Sequence, residues 1–109
     1  MANTFKNKTF DGSNTAANSD MTPYTAPSST TTVVIGLTIA NTTSNQITVD
    51  IKLDASTNIF LAKNLPIPAG SAFEYMSGNK IIMQAGHSIK IQSDTANSAD
   101  TCMSIMEIT

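Results

Sequence analysis

The sequence predicts an all-β protein: a single antiparallel β-sandwich of jelly-roll type, with seven or eight strands and an extended N-terminal arm. Three observations predict it. Residues 31–53, TTVVIGLTIANTTSNQITVDIKL, hold two alternating apolar/polar runs around a polar turn, the pattern of half-buried strands. Turn signals rich in Gly, Pro, Asn and Ser recur about every ten residues, the spacing of an all-β sandwich. The chain has 109 residues, 40% of them hydrophobic, which is enough for one core and one domain at residues 21–109.

Taken in order, residues 1–20 hold Phe5 and Phe10 among small polar residues and show neither helix nor strand period. Alone, such a segment buries too little apolar surface to offset its ordering entropy. It reads as an arm whose phenylalanines dock on a neighbouring subunit, or else as a loose tail. Residues 21–25 form a short edge element marked by Pro23, and Pro27 with Ser28 turns the chain. In the first strong strand Val33, Ile35, Leu37 and Ile39 share one face. In the second, Ile47, Val49, Ile51 and Leu53 do.

Residues 58–63 make a third strand, which Pro66 and Pro68 interrupt because proline removes a ladder donor. Phe73, Tyr75 and residues 81–83 bracket Ser77, Gly78 and Asn79 in a hairpin. Residues 67–73 and 83–89 share the pattern apolar-x-Ala-Gly-x-x-apolar, so Gly70 and Gly86 are expected to take positive φ in two similar turns. Ile89 and Ile91 alternate with Lys90 and Gln92, and a polar loop, residues 94–100, leads to the final strand, residues 101–108. That strand is apolar on both parities, which makes it central or covered by a partner on its outer side. Cys102 within it reads as a small buried hydrophobe.

Charge narrows the function. Only 13% of residues are charged and the formal net charge is -2. The six lysines, Lys6, Lys8, Lys52, Lys63, Lys80 and Lys90, form no basic stripe and there is no Arg, so nucleic acid is not an expected partner. A surface of hydroxyls and amides is cheaper to bury against a protein than one of ammonium and carboxylate groups. No segment is apolar for the length of a membrane span, and MANTFKNKTF lacks a signal-peptide core. The expectation is a protein made in the cytoplasm that contacts no membrane.

Chemistry finds little footing. His87 stands without ligand-spaced partners, and the loop DTANSAD lacks the carboxylates and glycine of a calcium loop. The eight carboxylates are scattered singly, and no nucleotide or hydrolase motif occurs. No catalytic, metal or cofactor-binding residue is assigned, and no enzymatic activity is expected. A carbohydrate-binding module is the alternative of another class, with Phe5, Phe10, Tyr24, Phe60, Phe73 and Tyr75 as its only platform aromatics. Met76, Met83, Met103 and Met106 read as core filler or as an adaptable interface.

Tyr24-Thr25-Ala26-Pro27, Val34-Ile35-Gly36-Leu37 and the stretch KNLPIPAGS, residues 63–71, resemble a group of small virion proteins of tailed marine bacteriophages. The resemblance spans most of residues 21–109. It implies a virion structural role, as a capsid decoration (cement) protein or a tail, neck or fibre-associated adaptor or receptor-facing protein. It also implies the major capsid protein or other virion subunits as partners, and a homodimer or homotrimer. Candidate subunit-interface residues are Phe5, Phe10, Tyr24, Met103 and Met106.

Overall fold

A computed structural model describes residues 2–75 and 80–109, and among these residues the chain forms nine strands and one 3-10 turn. In order they are β1 (Asn3–Phe10), the turn Gly12–Asn14, β2 (Asp20–Thr25), β3 (Thr31–Asn41), β4 (Ile47–Asp54), β5 (Asn58–Ile67), β6 (Ala72–Glu74), β7 (Ile81–Met83), β8 (Ser88–Ser93) and β9 (Ala99–Ile108). All pairings are antiparallel. The first sheet has the order β1-β9-β3-β6, with β7 also on β3, and the second the order β2-β8-β4-β5. Their apolar inner faces close on one core that includes Leu37, Ile39, Ile51, Ile91, Met103 and Ile105, each essentially without solvent contact. Each such side chain contributes about 1.5–3 kcal/mol relative to exposure.

β6 and β7 are collinear. β6 pairs with residues 38–40 of β3 and β7 with residues 32–34, both antiparallel. They form one interrupted edge strand, and the expected hairpin between them does not exist. The tripeptide assigned to its turn, Ser77, Gly78 and Asn79, lies outside the described residues. Counting β6 and β7 as one gives eight strands, with sheets ordered 1-8-3-6 and 2-7-4-5. That is the double Greek key of the jelly roll.

The N-terminal segment is corrected too. Residues 3–10 are not a free arm: β1 runs in register along β9 from Asn3↔Ile108 to Phe10↔Thr101. Ala2 and Thr109 extend the ladder by two further backbone hydrogen bonds. The segment lacks apolar alternation because one of its neighbours is solvent, and the β9 backbone supplies the partners that its own side chains do not advertise.

Elsewhere the alternation holds with local slips. In β4, Ile47, Val49 and Ile51 are buried as expected, and Leu53 is half-buried. In β3 a bulge falls between Val34 and Gly36. Val34 thereby turns inward, and Ile35, expected inside, becomes 37% exposed, since one extra residue reverses the parity of what precedes it. β5 continues through Pro66 to Ile67, pairing only with β4; on a sheet edge the missing N–H costs no ladder bond. β2 is the expected edge strand, with Pro23 inside its bulge. Gly70 and Gly86 take φ of 68° and 86°, each followed by an N–H that closes the turn, Ser71 on Pro68 at 3.3 Å and His87 on Gln84 at 3.0 Å. β9 lies between β1 and β3, so it is central, but Cys102 points outward and is exposed, not buried.

Candidate functional site

Each of the eight carboxylates is engaged within the chain. On the outer face of the second sheet Lys52 meets Asp20 at 2.9 Å, Lys63 meets Asp50 at 3.2 Å and Lys90 meets Asp54 at 3.2 Å. Asp94 accepts the Thr48 N–H, Asp100 the Gly12 N–H, and Asp11 the Ser13 N–H that caps the 3-10 turn. Glu74 accepts from the Leu37 N–H and the Thr38 hydroxyl. His87 is used locally as well, its Nδ1 accepting the Gln84 N–H at 3.2 Å. Among the described residues no three His, Cys, Asp or Glu side chains gather as metal ligands. These groups serve turns and strand ends.

The eighth carboxylate, Glu107, is the one buried acid. It lies on the inner side of β9, where Lys6 of β1 reaches one oxygen at 2.8 Å and the Tyr24 hydroxyl donates to the other at 2.6 Å. The same hydroxyl lies 2.8 Å from Thr32 of β3. Tyr24 belongs to the second sheet and the other three to the first, so a charged knot bridges the layers. The Lys6 bond, and after it the Tyr24 bond, hold the Glu107 carboxyl below its ordinary value. Burial, followed by the hydrogen bond to Glu107, pushes the Tyr24 phenol up to about 12. Such fully bonded networks fix layer register at modest net gain.

This geometry revises the interface residues. Tyr24 and Met103 are buried inside the protomer, at 5% and 0% exposure, and Phe10 packs half-buried against the core. They face the core because the inner parity of β1, β2 and β9 carries them between the sheets. Phe5 and Met106 do face outward. Of the methionines, Met83 and Met103 are core filler, while Met76 lies outside the described residues. The aromatics make no common platform: Phe5 is on β1, Phe60 on the far edge of the second sheet, and the Tyr75 hydroxyl donates to Leu61 O across the layers at 2.6 Å.

The outer faces of the two sheets differ. The second carries the three ion pairs above. On the first, cross-strand pairing sets Phe5, Met106, Val33 and Ile82 in one row from β1 to β7. Phe5 is 71% and Ile82 51% exposed. The bulge adds Ile35, which with Phe5, Asn7 and Ser104 borders a shallow depression of about 330 Å³. A second depression, about 310 Å³, lies toward the other end between Thr9, Thr38, Asp100 and Cys102. The sequence hides this row, because Val33 and Ile35 sit on the parity assigned to the core and Ile82 carries no periodicity of its own.

No family model matches the chain, and no curated protein matches it. Among solved structures it is similar to a chain of the T13 IBDV viral particle, at a TM-score of 0.60 and 9% identity over 96% of this chain. The chain spans only 30% of that protein's length. It is also similar to a pentameric capsid protein isolated from metagenomic phage sequences, at a TM-score of 0.43 and 20% identity, over 92% of this chain and 60% of that one. At these identities the likeness is one of fold: the jelly roll recurs within a viral particle chain.

Proposed function

We propose that the chain is a virion structural protein that works by packing against other subunits, placed on the outside of the capsid as a decoration (cement) protein. The observation that carries this reading is the contrast between the sheet faces. One outer face closes its charges in ion pairs among its own strands. The other presents an apolar row among hydroxyls and amides, which loses little on desolvation. The jelly roll, shared with a module of a viral particle chain, supports the setting by analogy of architecture. The engagement of every carboxylate in a bond to a turn, a strand or a lysine supports a packing role.

With residues 3–10 built into the sandwich, docking falls to the sheet faces and not to an arm. A protein that binds the mature shell and not its precursor stabilises that shell by mass action. Copy number per particle tests the reading. Particles of the virus that encodes the chain are purified and its stoichiometry read from a stained gel or by quantitative mass spectrometry. Copies in the hundreds place it on the shell; about a dozen or fewer per particle, the count of a single symmetric ring, move it to the tail, neck or fibre. Its absence from particles overturns the virion role.

A further inference from the structure

We propose that β1 is a strap whose hold on the sandwich is set by the charge of Glu107, so that acid releases it from β9 before the rest of the molecule unfolds. Little else fastens the strand. Residues 3–7 are exposed, and of the inward-facing Thr4, Lys6, Lys8 and Phe10 only Phe10 packs against the core. As a strand it pairs with β9 alone. The net worth of such bonds at a solvent-facing edge is largely offset by the entropy of ordering the strand. Among the described residues, Lys6 is its only side chain to make an ion pair or a hydrogen bond. That single tie ends on the buried acid, 2.8 Å away.

Glu107 stays in place when the strap moves. It belongs to β9, and the Tyr24 hydroxyl holds it from the second sheet at 2.6 Å. The groups that face it are Lys6 and, at longer range, Lys8 from β1, the Tyr24 phenol from β2, and the uncharged Thr32 hydroxyl of β3 beside that phenol. At neutral pH only the two lysines carry charge, and both leave with β1. While Glu107 is ionised, opening strips a buried carboxylate of its cation, which is costly. Once Glu107 is protonated there is no charge to strip, and the ladder stands alone.

Lys6, and after it the Tyr24 bond, holds the closed-state carboxyl below its ordinary value. The grip is therefore complete above that ordinary value and fades as pH falls through the lowered one. A change in the carboxyl's proton affinity on opening appears in full as a change in the opening constant between neutral and acid solution. Release bares the edge of β9, whose backbone groups then face water. Asp11 and Asp100 hold the turn at the other end of the strand and also protonate in acid, so the two ends of β1 are read separately.

Hydrogen exchange of the full chain tests the proposal, read by mass spectrometry as protection factors so that the intrinsic pH dependence divides out. From about pH 7 to about pH 3, protection over residues 3–8 should fall by about tenfold or more, while that of β8, inside the second sheet, holds. Lys6→Met keeps the aliphatic stem and removes the charge; the Lys6 side chain is 43% exposed, so the core stays packed. The β1 of this variant should be about tenfold or more less protected than the parent at neutral pH and show no further fall in acid. Closing the strand over an unpaired carboxylate is disfavoured until that carboxylate protonates. Glu107→Gln, uncharged at every pH, should likewise show no fall, and Lys8→Met should keep most of it. Flat protection over residues 3–8 in the parent overturns the proposal. So does a fall matched by β8, which is global unfolding, or one confined to residues 9–14, which belongs to Asp11 and Asp100. A fall that survives in Lys6→Met or Glu107→Gln overturns it too. The chain's place in a particle does not enter the measurement, so the strap and the virion role stand or fall separately.

Discussion

Gly12 is where the 3-10 turn touches the last strand, and a Cβ at that position would overlap the Ala99 carbonyl oxygen. Gly12→Ala must therefore push the turn off β9 and stretch the bond from the Gly12 N–H to Asp100. We expect a loss of about 1–3 kcal/mol in urea unfolding. Gly36→Ala, whose Cβ meets nothing nearer than 3.6 Å, should cost much less. Glu107 makes a second, pH-dependent case. Its folded pKa lies below the ordinary 4.5, so its network contributes stability above that value and loses it as pH falls through the folded pKa. Tyr24→Phe should cost about 2 kcal/mol at neutral pH, with the gap to the parent narrowing at acid pH as the carboxylate protonates. Urea midpoints of both proteins, followed from neutral pH downward, would show that convergence; a gap independent of pH would mean that the hydroxyl acts on Thr32 alone.

At the scale of elements, β1 is the test of the corrected N-terminus. Removing residues 2–11 strips β9 of one ladder partner, frees a long edge and leaves Glu107 without Lys6. The truncated chain should aggregate or unfold at lower denaturant, by chromatography and circular dichroism; a truncated chain of unchanged stability would restore the arm. The same strand shows what was legible in the sequence. β3, β4 and β8 announced themselves because one face is dry and the other wet, and Gly70 and Gly86 marked their turns. β1 was silent because its ordering comes from a backbone ladder to a strand about a hundred residues away. The β3 bulge was silent because an inserted residue leaves the apolar count unchanged while reversing which side is buried. Pro66 misled because a donor is missed only where a neighbour needs it. Of the five interface candidates, Phe5 and Met106 face solvent. Tyr24, Met103 and Phe10 drew notice as large apolar groups, which is also what a core demands.

For the whole molecule, the jelly roll was legible as a class and not as a path. Strand order depends on which edges meet, and local patterns carry no record of that. The path gathers the ion-paired strands β2, β4, β5 and β8 into one layer and sets the apolar row on the outer face of the other. Copy number per particle belongs to this scale. The position of β9 sets one more condition, on time. It is the last of these strands to leave the ribosome, yet it is the centre of the first sheet, and β1 and β3 have no contact along that sheet until it arrives. Until β9 emerges, one edge of β3 and the whole ladder of β1 wait for their partner. Folding is then governed by closure of distant chain segments, the slow regime of high contact order, and the nascent chain is at its most adhesive before β9 emerges. A chain made in many copies for assembly would meet its neighbours in that interval first.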